Sequence, residues 1–537
     1  MSRGAAGDSL PGSVPAPAPG PALGSASTAG GLLLRSAERW PDADALVEGQ
    51  TVLTHAQAAA AAARVARRLW ARGVRPGDRI ALALRGGWRY AVAYGGVQLA
   101  GAVAVLVNTR FAPPEIEYVL EDSGASFVVV DAEMAGRVPQ VCPYWDSCEL
   151  TGPGPDGELT APGAGAAELP GLSASSTDVA NILYTSGTTG RPKGAMQTHG
   201  NLVFNAGTVG SVLGVTAADR TLVVAPMFHA TGIVSQVVGF GAHGAARVFQ
   251  PRFRVADMRE ALIEHRITFF AGVTAMIHLM LADPAFDPAG LPALRTVCFG
   301  GAPVAEAFLA EAVRRLPGVT FANVWGLTEA TSIVTCALGL EWLERPWTAG
   351  RPVPGVEVAV AVDGKLPEHP DPDAVGELWV RGPVVTAGYW NRPGATAETF
   401  GADGWLRTGD IGRADAAGYV QVLDRMKDMI IRGGENIYSL EVEGVLAEHP
   451  AIAEVAVVGV PDPVFGERVR AVAVLRPGEA LDAGALRAWA APRLADYKLP
   501  AELVTVAELP RNASGKVMKK ELAASPGGLS PAPGERR

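Results

Sequence analysis

Along the first two-thirds of the chain, short apolar runs alternate with stretches whose apolar positions recur at helical spacing. Residues 80–84, 127–130, 222–225, 268–273 and 296–299 read as interior strands, and 113–122 and 255–265 as helices. Such alternation predicts parallel sheets covered by helices, an α/β fold. The uncharged stretch 91–109 is nearly long enough to span a bilayer, but Gly95, Gly96, Gln98, Gly101 and Asn108 interrupt it. It reads instead as a buried helix, a turn at Gly101 and an interior strand over 102–107. Between about 350 and 422 the pattern changes to strands and turns, for example 356–362 and 377–380. After Arg425 a smaller unit is expected, with strands 453–460 and 470–475 and helical segments between. Residues 1–30, 152–176 and 524–537 are rich in Gly, Pro, Ala and Ser and read as tails and a loose surface loop.

At 537 residues the chain is too long for one compact domain, and with 48% hydrophobic residues it can bury large cores. The net charge of −9 argues against a general nucleic-acid or membrane-surface binder, so an anionic ligand must be met by local positive charge. Lysine is rare: Lys193, Lys365, Lys427, Lys498, Lys516, Lys519 and Lys520. Cys142, Cys148, Cys298 and Cys336 form no CxxC pair, which suggests reduced thiols in a cytoplasmic protein and no zinc site. The N-terminus lacks the charged start and apolar core of a secretory signal.

The most informative segment is Tyr184-Thr185-Ser186-Gly187-Thr188-Thr189-Gly190-Arg191-Pro192-Lys193-Gly194. Its glycines permit close backbone approach, its hydroxyls can donate to anionic oxygens, and Lys193 adds a mobile charge. Residues 181–184 supply a strand before it and 200–213 a helix after it, the context a phosphate loop needs. The Walker A spacing is absent. A flexible Gly/Ser/Thr linker is the competing reading of this stretch alone.

Several further motifs, in order, resemble the adenylate-forming superfamily of acyl-CoA synthetases, peptide-synthetase adenylation domains and luciferases. They are Asn323-Val324-Trp325-Gly326-Leu327-Thr328-Glu329, Gly376-Glu377-Leu378-Trp379-Val380-Arg381-Gly382, Thr408-Gly409-Asp410, Asp424-Arg425-Met426-Lys427-Asp428, Arg432-Gly433-Gly434-Glu435-Asn436 and Pro510-Arg511-Asn512-Ala513-Ser514-Gly515-Lys516. Singly, each has a duller reading as a cap, a turn or a solvated basic run. Their joint order across more than three hundred residues carries the resemblance, which covers roughly residues 30–523.

The resemblance implies a large N-terminal domain of parallel-rich sheets flanked by helices with a β-rich subdomain, residues 31–425. A small mobile α+β C-terminal domain, 426–523, would follow. It implies a two-step reaction: a carboxylate attacks the α-phosphate of Mg2+-bound ATP, then a thiol displaces AMP. Thr185, Ser186, Gly187, Thr188, Thr189, Gly190 and Lys193 would hold the phosphates. Lys516 would offset charge at the reacting phosphorus, Glu329 would hold Mg2+ and Thr328 would donate to phosphate. Asp410 and Arg425 would take the ribose. Trp325 and Gly326 would flank adenine, opposite Gly301, Ala302 and Pro303. Lys427 sits at the hinge position, and Gly433 and Gly434 would present a second face for thioester formation. His229 would line the acyl pocket near the thiol tunnel, with Val273, Thr274 and Ala302 beside the acyl group.

His229 favours CoA as acceptor, giving an acid–thiol ligase with ATP, Mg2+ and CoA. An adenylating enzyme serving a carrier-protein thiol, an amine or another acceptor is the alternative, and a non-catalytic nucleotide-binding relative is a third. Family members often have glycines where this chain has Ala322, Asn323 and Val324. Larger side chains there point to a medium-chain fatty or aryl acid.

Overall fold

The computed structural model describes residues 26–152, 173–185, 191–250, 252–301, 304, 306–511 and 516–524. The expected tail over 1–25, the loop over 153–172 and the tail over 525–537 lie outside them. The chain divides into two units. The first comprises Met1–Gly301, Leu309–Glu357 and Val380–Leu406, and the second Ala302–Phe308, Val358–Trp379 and Arg407–Arg537.

Within the first unit, nine strands pair in the order Arg351–Pro352, Thr335–Leu338, Thr320–Trp325, Thr296–Gly300, Phe269–Val273, Arg220–Val223, Ala246–Phe249, Asp44–Glu48 and Thr51–Thr54. The pairings from Thr320–Trp325 to Asp44–Glu48 are all parallel. A second sheet has the order Tyr144–Asp146, Phe127–Val130, Arg79–Ala83, Val103–Leu106, Val179–Thr185 and Lys193–Thr198. It too is parallel except at its last pair. The strands expected from the apolar runs are present within a few residues of their expected bounds, and the fold is α/β as expected.

Helices cover these sheets. His55–Ala71 opens on a reciprocal cap in which Thr54 Oγ1 accepts from the Gln57 amide and Gln57 Oε1 from the Thr54 amide. The uncharged stretch resolves into the helix Trp88–Leu99, a left-handed Gly101 at φ 74° and the strand Val103–Leu106. Ten residues of that helix are buried, which is why its sequence is apolar all round. The first described helix, Ala29–Arg39, starts inside the stretch expected as a tail, because Thr28 caps it by accepting from the Gly31 amide. Thr231–Phe240 is a ten-residue π-helix, nine of whose residues are buried, a rare geometry that concentrates at functional sites. No helix of the described residues is long and apolar enough to cross a membrane.

The second unit holds most of a four-stranded sheet, Glu357–Ala361, Gly376–Arg381, Leu406–Ala414 and Val420–Arg425. It also holds a sheet in which Ile452–Asp462 and Gly466–Leu475 form one long antiparallel hairpin. The helices expected between those two strands instead precede and follow them, at Ser439–Ala447 and Ala483–Ala490. The turn at 463–465 is too short for anything else.

Candidate active site

The strand Val179–Thr185 runs into residues 186–190, and Lys193–Thr198 returns antiparallel to it with Thr185 opposite Lys193. The expected strand–loop–helix is therefore strand–loop–strand, with the helix His199–Leu213 following. Ser186, Gly187, Thr188, Thr189 and Gly190 lie outside the described residues. The stem beside them is anchored by side chains distant in sequence. Tyr184 donates to Asp122 Oδ2 at 2.8 Å, Arg392 pairs with Asp122 at 2.5 Å, and Tyr118 donates to the Pro192 carbonyl. The backbone of 387–390 runs alongside. The Met196 amide donates to Gly388 O, the Ala387 amide to Met196 O, and the Trp390 amide to Gly194 O at 2.8 Å.

This arrangement brings Tyr389 to the site. Its hydroxyl donates to Glu329 Oε1 at 2.9 Å, and Thr185 Oγ1 donates to the same oxygen at 3.3 Å. Lys193 Nζ lies 5.0 Å from the centroid of the Tyr389 ring. Burial, then the charge of Glu329, pushes the Tyr389 phenol well up, so it stays a donor. Thr328 and Glu329 occupy a short 3-10 turn, and the Thr386 amide donates to Glu329 O. Thr331 and Ser332 follow at φ 48° and 90°, clamped by Asn205 on the Thr331 carbonyl and by Thr331 Oγ1 on Val384 O. Gly326 has no substitute here: a Cβ on it would stand 1.4 Å from Ser332 O.

His229 precedes the π-helix. Burial, aided by Arg110, depresses its pKa to about 4, so the ring is neutral at pH 7. Its Nε2 and Thr274 Oγ1 are both buried without a hydrogen-bond partner among the described residues, which leaves two polar atoms for a ligand to satisfy. Trp325 ends the strand Thr320–Trp325, and Gly301 follows Thr296–Gly300 at φ 80°. Ala302 and Pro303 lie outside the described residues. Of the three departures at 322–324, Ala322 is fully buried and Asn323 Nδ2 donates to Thr348 O at 3.0 Å. Val324 is the one that crowds its neighbour: its Cγ2 lies 3.1 Å from where a Cβ on Gly300 would stand. Val273 is the last residue of the adjacent strand Phe269–Val273, paired with Gly300.

In the second unit Asp410 and Arg425 are directly opposed across the antiparallel pair Leu406–Ala414 and Val420–Arg425, and their side chains pair at 2.5 Å. Lys516 belongs to the same group. Although its side chain reaches solvent, desolvation lowers its pKa to about 8, Arg425 and Lys427 add to the lowering, and Asp428 and Asp410 oppose it. Lys427 is exposed. Gly433 and Gly434, at φ 61° and 90°, form the turn between Ile430–Arg432 and Glu435–Ile437, and the Gly433 amide donates to Phe465 O.

Lys516 leads into the helix Lys519–Ala524. Lys519 Nζ reaches Glu443 at 2.7 Å and Ser439 Oγ at 2.5 Å, and the Ser439 amide donates to Asp424 Oδ2. Burial raises the pKa of both Asp424 and Glu443, partly offset by Lys519. Tyr389, Lys519 and Asp122 were not singled out as site residues from the sequence. Tyr389 follows Gly388 in a stretch that reads as a turn, Lys519 reads as part of a solvated basic run, and Asp122 as a helix-surface carboxylate.

Residues 33–390 match the family model for the AMP-binding enzyme, and residues 441–516 match that for the AMP-binding enzyme C-terminal domain. A feruloyl-CoA synthase of Amycolatopsis sp is 38% identical over 91% of this chain and 97% of its own. A long-chain-fatty-acid–CoA ligase, FadD13, of Mycobacterium tuberculosis is 34% identical over 92% of this chain and 97% of its own. The o-succinylbenzoate CoA synthetase of Bacillus subtilis, solved with its acyl-adenylate intermediate, superposes with a TM-score of 0.81 at 33% identity, over 93% of this chain and 99% of that one. The same synthetase solved with ATP and magnesium gives 0.80 at 34% identity, over 91% and 98%.

Proposed function

The chain belongs to the AMP-binding enzyme family, matched in both of its parts, and from that premise we propose a cytoplasmic carboxylate–CoA ligase for medium-chain fatty or aryl acids. Its relatives make it an acid–thiol ligase of the AMP-forming acyl-CoA synthetase type, with ATP, Mg2+ and CoA as its small-molecule requirements. In the first half-reaction a carboxylate oxygen bonds to the α-phosphorus of ATP and pyrophosphate leaves. The acid is ionised near pH 7, so the step needs position and charge rather than a base. Thr185, the 186–190 loop and Lys193 hold phosphate oxygens, Thr328 donates to them, and Trp325 with Gly326 flanks the adenine. Asp410 takes the ribose hydroxyls with Arg425 beside it. Glu329, whose Oε1 accepts from Tyr389 and Thr185, would be the hard oxygen ligand for magnesium, which when bound would offset phosphate charge.

The observation that carries this reading is Lys516 beside the Asp410–Arg425 pair. With a pKa near 8 it is mostly protonated at pH 7, the state that offsets charge on phosphorus. In the second half-reaction the CoA sulfur attacks the acyl carbon and AMP leaves. Neutral His229 lines that path, and Lys427, Gly433 and Gly434 serve this step. Val324 against Gly300 supports a shortened or flat acyl pocket, as does the similarity to a feruloyl-CoA synthase. The similarity to a long-chain ligase points the other way, so chain length is the variable to test.

Pyrophosphate release across a carboxylate panel, with and without CoA, tests the proposal. Cinnamic-type and medium-chain acids should turn over fastest and only with CoA; preference for long straight chains, or indifference to CoA, overturns it. Lys516→Ala should suppress adenylate formation by about 100-fold or more, the scale of losing one charge-stabilising group. It should leave thioester formation from a supplied acyl-adenylate largely intact. Equal loss of both half-reactions would reject the assignment.

A further inference from the structure

In the first unit, the helices Ala29–Arg39, His55–Ala71 and Trp88–Leu99 and the π-helix Thr231–Phe240 enclose a cavity of about 50 Å3. Its walls are mostly apolar, with Leu33, Leu46 and Val238 among them. Arg247 lines it. This residue sits on the strand Ala246–Phe249 opposite Leu46 and is 3% exposed. Its Nη1 donates to Ala245 O at 2.7 Å, while its Nε is buried without a hydrogen-bond partner among the described residues. Gly241 makes room for it, since a Cβ there would stand 3.1 Å from the guanidinium carbon.

Among the described residues no carboxylate lines the cavity. The other ionisable groups in its wall are His55, whose Nε2 lies 3.1 Å from Gly244 O and which burial and the charge of Arg247 hold neutral, and Tyr94, whose phenol burial keeps protonated. Asp44, which acts on His55 electrostatically, is already paired with Arg220 at 3.0 Å. Arg247 remains protonated at neutral pH despite burial. A buried cation in an apolar wall requires a counter-charge or a large desolvation cost. The space suits one small anion with a water, and that water can also donate to Gln98 Oε1, which lacks a partner while Gln98 Nε2 donates to Ala180 O and Asn181 Oδ1.

We infer that this cavity binds a small monovalent anion, a halide or a short carboxylate, as the counter-ion of Arg247. The site is separate from the nucleotide and acyl residues described above and braces the four helical segments around it. The π-helix is one of them, so the anion steadies the segment that follows His229.

Crystals of the enzyme soaked in sodium bromide and measured at the bromine absorption edge should show an ordered peak within hydrogen-bond distance of Arg247 Nε. At fixed ionic strength, chloride, bromide or acetate should raise Tm saturably by about 1–2 °C over gluconate, which is too large to enter. Arg247→Met should abolish that rise. A response to acetate without one to bromide assigns a short carboxylate, and the reverse assigns a halide. No bromide peak in the cavity together with no saturable Tm response to acetate, or an equal Tm response in Arg247→Met, overturns the inference. Should the variant fail to fold, soaks of the unaltered enzyme in bromide and in bromoacetate, each measured at the bromine absorption edge, decide: a peak beside Arg247 Nε in either supports the inference, and none in both overturns it.

Discussion

Tyr389 shows how one side chain completes a site that a motif only begins. Glu329 is legible from Trp325-Gly326-Leu327-Thr328-Glu329, because the motif is contiguous. Its partner lies sixty residues later, and nothing in a local pattern announces a phenol that will donate to a carboxylate. Removing that donor costs a hydrogen bond to a charged group, about 1.5–3 kcal/mol. Tyr389→Phe should therefore let Glu329 reorient and raise the Mg2+ concentration needed for half-maximal pyrophosphate exchange by about 10-fold, with a smaller effect on ATP affinity measured without metal. An unchanged metal requirement would show that Thr185 alone suffices. Lys516 gives a second test. Its charged form is lost as pH rises through about 8, so adenylate formation should decline on an alkaline limb near that pH. An alkaline limb only above pH 10 would reject that lowered pKa.

Among the elements, the interior strands were readable because burial on both faces demands continuous apolar runs, as at Phe127–Val130 and Phe269–Val273. The strand Lys193–Thr198 was not, because Lys-Gly-Ala-Met-Gln-Thr has neither an apolar run nor a clean alternation. Its place is set by pairing with Val179–Thr185 and by the 387–390 backbone. The helix Lys519–Ala524 makes the same point. From sequence it is a basic run in solvent, whereas Lys519 is held by Glu443 and Ser439. Lys519→Met leaves Glu443 as a partly buried carboxylate without its cation, at a cost of about 1–3 kcal/mol. The second unit should then unfold at lower urea concentration, and adenylate formation should fall although Lys516 is untouched. Glu443→Gln combined with Lys519→Met should recover much of the stability. If the single and double variants are equally unstable, the pair is not the cause.

At the scale of the whole molecule, acid stability follows from buried neutral histidines. His199 Nδ1 accepts from the Ala29 amide, and burial holds His199 near pKa 4 and His55 near 3. Both folded values lie below the unfolded value of about 6.5, so the unfolded chain binds protons first as pH falls. Stability should be level above about pH 6.5 and drop below it, by about 2 kcal/mol per group at pH 5. Thermal melts at pH 7.5 and pH 5 read this, and His199→Gln should shrink the difference; a flat Tm would reject it. The order of strands was beyond a sequence reading, since Ala246–Phe249 inserts between Arg220–Val223 and Asp44–Glu48, and only tertiary packing selects such neighbours. One such long-range contact, the Trp390 amide on Gly194 O, also sets a timetable. At a translation rate of about 5–20 residues per second, Gly194 leaves the ribosome roughly 10–40 s before Trp390 does. Throughout that interval the strand Lys193–Thr198 is a nascent sheet edge without its cover, so chains stalled before residue 386 should be retained by chaperones and should not bind ATP.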